Sequence, residues 1–474
     1  MVFNSLTFAV FFVIVVGVYY LPLPWRAKKL HLLIASYIFY GAWNPPFVAL
    51  LWASTVLDWI TARCIYTART QGQRRFWLAL SLLGNLGSLS FFKYGQFALE
   101  NFQALMASVG VAYQPPAWDI VLPVGISFYT FQTLSYTLDV YLRRDKPLSS
   151  FLDFALFVTF FPQLVAGPIV RPGELVPQFA RPRAATSQQF LWGLVLMTVG
   201  LFEKVVIADG VLAVTADAVY GAPTKVGFAD AWLGTLAFSG QIFCDFAGYS
   251  TIAIGLALCM GFSLPDNFRY PYAAIGFSDF WQRWHISLST WLRDYLYIPL
   301  GGNRGGGVRT YVNLLVTMVL GGLWHGASWT FVAWGGLHGL YLVVERAIRG
   351  WLGVPRGDPA SMWARAGLGL ITYLLVNVTW VFFRAKSFAA AAGILAGMVG
   401  LNPDAPAVLP TIDMILTAVC ITGLVSAHWV MRNRSLEDLA DAIPGWVLAP
   451  AWASLTFLVI TTQGSGDAFI YFQF

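Results

Sequence analysis

The sequence predicts an all-α polytopic membrane protein, and three observations carry that prediction. Of 474 residues, 58% are hydrophobic and only 11% are charged, against roughly 25% charged in a typical soluble domain. Apolar runs near the length of about 20 residues that crosses a bilayer recur from one end to the other, which leaves no place for a sizeable soluble domain. The Lys and Arg residues gather in short loops between those runs. In a soluble protein the formal charge of +6 would suggest a polyanion; here it is a topology signal, and no nucleic-acid partner is expected. One membrane domain over residues 1–474 is the economical reading.

Met1 to Trp25 carries no charge, lacks a basic n-region and a convincing small-residue cleavage site, and reads as a retained first span. The clearest spans are Leu6–Leu23, Leu30–Trp43, Phe47–Ala62, Phe76–Phe92 and Val121–Tyr141. Later ones are Phe190–Ala208, Trp232–Phe262, Tyr311–Trp324, Ser328–Val344, Ala366–Phe383, Ile412–Met431 and Val447–Thr461. Several are short or broken by Gly and Pro, so about 10 to 12 transmembrane helices are expected.

Arg26, Lys28 and Lys29, then Arg63, Arg69, Arg74 and Arg75 two spans later, place those loops in the cytoplasm. Arg143, Arg144 and Lys146, and then Arg171, Arg181 and Arg183, belong on the same side. Phe151 to Val170 is thereby trapped between two cytoplasmic loops, and it contains Pro162 and Gly167-Pro168. A re-entrant element is the expectation. Broken backbone at membrane depth is tolerated only beside protein or a water-filled cavity, so a central cavity is implied.

Phe277 to Leu300 sets Phe280, Trp284, Leu288 and Trp291 at helical spacing among Arg283, Arg293 and Asp294, which predicts an amphipathic helix at the cytoplasmic interface. The following "GGNRGGG", Gly301 to Gly307, lacks a strand-to-helix context and is a loop, not a phosphate cradle. Cys64, Cys244, Cys259 and Cys420 form no CxxC pair, so neither a disulfide framework nor a metal site is indicated. No internal repeat of the inverted-transporter kind stands out.

Ionisable groups inside apolar runs are functional candidates because isolating them from water is costly. His325 sits within "GGLWHGASWTF", in a stretch from Tyr311 to Val344 without any Asp, Glu, Lys or Arg. Two roles are open to it: a neutral imidazole bonded between helices, or a general base that takes a proton from a hydroxyl attacking an acyl carbon. Gly321, Gly322 and Gly326 allow a small substrate to approach, or simply let helices pack. His285 lies 40 residues upstream in "WQRWHISLS"; it is either an interface-facing residue or part of the site. His338 in "WGGLHGL" is expected to pack or hydrogen-bond, and His31 beside Lys28 and Lys29 to be solvated.

Asp245, in "QIFCDFAGYS", shares a helix face with Gln241 one turn before and Tyr249 one turn after. Either a structural bridge or a direct role in substrate handling fits, and both point inward. No nucleophile elbow, HExxH pair or Cys-His arrangement is visible, which argues against a serine hydrolase, a zinc protease or a thiol acyl carrier.

Taken together, these stretches resemble the bacterial polysaccharide branch of the membrane-bound O-acyltransferases (MBOAT), the group that includes the alginate O-acetyltransferase membrane subunit. The matching residues are "FFKYGQF" from Phe91, "LPVGISFYTFQTLSYTLDVY" from Leu122, "PQLVAGPIVRPGELVPQF" from Pro162 and "FCDFAGYSTIAIG" from Phe243. They continue with "NFRYPY" from Asn267, "FWQRWHISLSTWLRDYLYIPLGG" from Phe280, "LWHGASWTF" from Leu323, "TWVFFRA" from Thr379 and the terminal "FIYFQF".

The resemblance implies an MBOAT fold with re-entrant elements around a cavity open to both membrane faces. His325 would be the catalytic histidine and His285 the second characteristic polar position. It also implies acetyl-CoA as acyl donor, no tightly bound cofactor, an exported polysaccharide as acceptor, and an extracytoplasmic partner resembling an SGNH esterase, all at the bacterial inner membrane. Gln241, Asp245, Tyr249, Trp324 and Arg283 are the candidate substrate-binding residues. D-alanyl transfer to teichoic acid, or a transporter or flippase for a lipid-linked or acyl carrier, are the competing functions.

Overall fold

The computed structural model describes all residues except 116–119, 223–224, 354–356, 358, 360 and 463–474; the terminal "FIYFQF" lies outside the described residues. Among the described residues the chain is helical, without strands. It divides into two compact units: Met1–Leu194 with Ala253–Pro265 and Gly326–Ser328, and Val195–Ile252 with Asp266–His325 and Trp329–Phe474.

The first unit holds α1 (Leu6–Tyr19), α2 (Trp25–Gly41), α3 (Phe47–Thr67), α4 (Gln71–Leu89), α5 (Gly95–Ser108), α6 (Ile126–Tyr141), α7 (Phe151–Thr159), α8 (Phe161–Leu164) and α9 (Pro172–Phe179). Its polar centre is Asp58 on α3, which is fully buried. Ser81 Oγ (2.5 Å), Asn85 Nδ2 (2.8 Å) and Thr137 Oγ1 (3.2 Å) donate to its carboxylate from α4 and α6. A buried carboxylate is tolerable only with such donors, and this one ties three helices together. The segment Phe151 to Val170 breaks at Phe160 and runs as two short helices, α7 and α8, with Phe154 to Val170 buried throughout.

After α10 (Ser187–Leu201) come a π-helical stretch, Phe202–Leu212, then α11 (Ala213–Tyr220) and the long α12 (Phe228–Leu258). The second unit continues with α13 (Phe277–Arg283), α14 (Ile286–Leu292), α15 (Gly306–His325), α16 (Trp329–Leu352), α17 (Met362–Arg384), α18 (Phe388–Met398), α19 (Thr411–Met431), α20 (Leu436–Ala442) and α21 (Gly445–Thr462).

Seven described helices are long and apolar enough to cross a membrane: Phe47–Thr67, Ser187–Tyr220, Phe228–Cys259, Gly306–His325, Met362–Arg384, Thr411–Met431 and Gly445–Thr462. The protein is a multi-pass membrane protein. Burial separates these helices: 83% of the most apolar window of Phe228–Cys259 is buried but only 6% of that of Gly445–Thr462. The former is therefore the internal helix able to carry polar groups, and the latter turns its Phe457, Leu458 and Ile460 outward.

Two expectations are corrected. Phe277 to Leu300 is not one interfacial amphipathic helix. It breaks at Trp284-His285 and ends in a π-helical turn, Arg293–Tyr297, while Phe280, Trp281, Trp284, Leu288 and Trp291 are all buried. The spacing that reads as one amphipathic stripe serves two helices, both packed inward. His31 is not simply solvated: it is half-buried and Nε2 donates to Val15 O at 3.0 Å.

Candidate functional site

The site is built around the break between α13 and α14. Gly276, at φ 93°, begins α13, where Phe277 N and Ser278 N donate to Glu345 Oε2 at 2.8 and 3.0 Å. A carboxylate there satisfies the unpaired amides of a helix N-terminus and meets its positive dipole end. A short pairing pins the other end of α13: Arg269 N donates to Arg283 O (2.9 Å) and Ile286 N to Asn267 O (2.9 Å). His285 is held between these bonds in the left-handed conformation, φ 42° and ψ 56°. That backbone is costly for any residue with a Cβ and survives because its surroundings over-determine it.

The His285 ring is fully buried. Phe246 meets it edge-on at 4.6 Å and Trp324 at 5.7 Å, Phe268 stacks on it at 6.4 Å, and its Nδ1 lies 3.1 Å from Asn267 Oδ1. The interface-facing alternative for His285 is therefore excluded. Burial among rings holds its pKa well below the usual imidazole range.

His325 closes α15. A Cβ at Gly322 would stand 2.3 Å from Phe331 O, and one at Gly335 would stand 2.3 Å from Met318 O. These two glycines let the backbones of α15 and α16 touch, the contact that drives helix association where no hydrophobic effect separates helix from lipid. Gly322 thus serves packing. The close crossing sets Trp334 against His325 at 4.9 Å, and Trp324 (5.0 Å) and Phe383 of α17 (5.4 Å) complete the walls. The His285 and His325 rings are 6.4 Å apart. Residues 40 positions apart in sequence thereby share one aromatic enclosure with Trp324.

The remaining candidates fall elsewhere. Asp245 and Tyr249 meet around a residue that sequence reasoning missed: Lys204, from the π-helical stretch, places Nζ 2.6 Å from Asp245 Oδ1, 2.9 Å from Asp209 Oδ1 and 5.9 Å from the Tyr249 ring centroid. Lys204 and Asp245 are both buried. Gln241 is half-buried one turn before. Arg283 is spent on structure: it bonds Asp279 Oδ1 (2.7 Å), Arg269 O (3.1 Å) and Arg432 O (2.9 Å). Arg432 in turn bridges Asp279 and Ala273 O. The charge on Lys204 within an apolar run was the available signal; no comparable signal marks Trp334 or Phe383.

Two other histidines are packing residues. His338 Nε2 lies 2.9 Å from Thr379 Oγ1 with Trp334 at 4.7 Å, as its sequence context led us to expect. His428, to which the sequence gave no role, accepts from Tyr272 N at 3.2 Å.

The family model for the membrane-bound O-acyltransferase family, MBOAT, matches residues 55–363, which includes both enclosed histidines. The chain belongs to the MBOAT family. It is 46% identical over 405 residues to the "Probable alginate O-acetylase AlgI" of Azotobacter vinelandii, covering 84% of this chain and 78% of that one. It is 41% identical over 400 residues to the "Peptidoglycan O-acetyltransferase" of Helicobacter pylori, covering 79% and 74%. A more distant likeness, 26% over 289 residues, links it to the "Teichoic acid D-alanyltransferase" of Bacillus subtilis, with 58% and 71% covered. This MBOAT protein is thus an O-acyltransferase, and its resemblance to the acetylating relatives is the stronger.

Proposed function

We propose that this protein transfers an acetyl group from cytoplasmic acetyl-CoA toward hydroxyls of an exported polysaccharide, at the bacterial inner membrane, with His325 as general base. The observation that carries the reading is the pair of buried imidazoles 6.4 Å apart in one aromatic enclosure, in a chain similar to an alginate O-acetylase and a peptidoglycan O-acetyltransferase.

The chemistry fits the residues. A hydroxyl oxygen attacks the thioester carbon while His325 takes its proton; the tetrahedral intermediate expels the CoA thiolate, which recovers that proton as thiol. General-base help of this kind is worth about 10²–10⁴-fold. The rings of Trp324, Trp334 and Phe383 hold the imidazole in place and exclude water, so the proton goes to the positioned group. Basic residues near α13 and α14 hold the CoA phosphates, and polar groups around His285 orient the reactants. In the bilayer the two shorter apolar helices, Leu6–Tyr19 and Phe388–Met398, and less apolar ones such as α2, α4 and α16 add to the seven long ones to give ten to twelve passes, with α7 and α8 as a re-entrant pair. An extracytoplasmic esterase-like partner completes delivery to the polymer.

Purified protein in lipid nanodiscs, given labelled acetyl-CoA, a polysaccharide acceptor and the partner, should release free CoA thiol in step with ester formation. No thiol release under any combination would point to a transporter. Dependence on a D-alanyl carrier protein in place of acetyl-CoA would move the assignment to the D-alanylating relatives.

A further inference from the structure

The side chain of Asn267 makes four contacts whose donors can be assigned without reference to any substrate. Its Oδ1 lies 3.3 Å from Ser287 N, 2.9 Å from Ser287 Oγ and 3.1 Å from His285 Nδ1, and its Nδ2 lies 3.2 Å from Ser250 Oγ on α12. A backbone N–H can only donate, so the atom facing Ser287 N must be the amide oxygen. The flipped amide would set N–H against N–H. With the oxygen fixed there, His285 Nδ1 has to be the donor, because an amide oxygen only accepts.

The ring is buried among Phe246, Phe268 and Trp324, surroundings that disfavour a second proton. A neutral ring with hydrogen on Nδ1 carries its lone pair on Nε2.

We infer that Asn267 is a positioning residue that locks His285 as the neutral Nδ1–H tautomer, making His285 a hydrogen-bond acceptor in the acyl-transfer site and not a donor to the thioester oxygen. The inference builds on the proposed acetyl transfer and divides labour within it: His325 moves the proton, while His285 Nε2 accepts from an N–H or O–H group of a reactant or of the enclosure. The hold is doubled, since Asn267 O also takes the Ile286 amide that fixes the left-handed turn. Ser250 anchors Asn267 to the same helix that presents Phe246 to the ring.

Protein labelled with ¹⁵N-histidine, in lipid nanodiscs at neutral pH and without substrate, tests the tautomer directly. The His285 signals are those lost in His285→Gln. The expected result is a protonated, pyrrole-type Nδ1 and an unprotonated, pyridine-type Nε2; a protonated Nε2 would overturn the inference. Asn267→Ala should lose the Nδ1–H signature and lower kcat at least about tenfold, with a smaller change in KM. Asn267→Asp, which keeps an acceptor at the same place, should retain both the signature and most of the activity. An Asn267→Ala protein that keeps the Nδ1–H signature would also overturn it. Because the spectrum is read without turnover, failure of acetyl transfer leaves this result standing, and an Nε2–H ring leaves the acetyl-transfer reading standing.

Discussion

Asp58 and the His285–His325 pair are both buried polar centres in apolar helix bundles, but they are surrounded differently. Asp58 is met by hydroxyl and amide donors from two neighbouring helices, an arrangement that fixes a charge and fastens three helices. The histidine rings are walled by Phe246, Trp324, Trp334 and Phe383. Aromatic walls set orientation and exclude water without selecting a tautomer, and the polar Asn267 contact falls on His285 alone among the two. A buried ionisable residue in a membrane protein is therefore informative through what encloses it: polar donors on every side mark a fastener, and aromatic walls around two imidazoles mark the candidate site.

Lys204 sharpens that contrast, since it shares the second unit with the histidines yet is enclosed like Asp58. Lys204→Met leaves Asp245 buried without its cation and should lower stability by about 3–5 kcal/mol, read as thermal unfolding in detergent. Lys204→Met combined with Asp245→Leu should recover most of that loss. A single variant as stable as wild type would show that the pair fastens nothing. Asp58→Ala removes the carboxylate that Ser81 and Thr137 donate to and one of the two acceptors of Asn85 Nδ2, and should cost about 3 kcal/mol, with specific activity per folded molecule unchanged; a stable but inactive variant would break the distinction between the two centres.

Gly335→Ala tests where the two properties meet. An added methyl would press on Met318 O and should cost about 1–3 kcal/mol, and because the same crossing sets Trp334 on His325, activity should fall as well. Full activity in a correctly assembled Gly335→Ala protein would detach the crossing from the site. The smallest effect belongs to Thr379→Val, which removes the hydrogen bond to His338 for about 1 kcal/mol. Acetyl transfer should be unaffected, and a large loss would bring His338 into the reaction.

The helical class, the membrane setting and the two candidate histidines were legible because the signals are local: long apolar runs, and an imidazole in a stretch free of other charge. The pairing of His285 with His325 is not local. It depends on a backbone break at His285 and a glycine crossing between α15 and α16, and neither alters the spacing of apolar residues. Asn267 was legible only as part of "NFRYPY"; its role follows from a backbone amide 20 residues later. Arg283, a candidate for binding substrate, shows the opposite case, since its guanidinium is committed to Asp279 and two carbonyls that only the folded chain brings to it.

Transfer of labelled acetyl groups from acetyl-CoA to polysaccharide, in membranes holding equal amounts of wild-type protein and His325→Gln, bears most directly on the buried imidazole. The expected result is a loss of about 10²-fold or more at equal accumulation and equal thermal stability. Wild-type transfer by an equally folded His325→Gln protein would contradict a proton-transferring ring at that position.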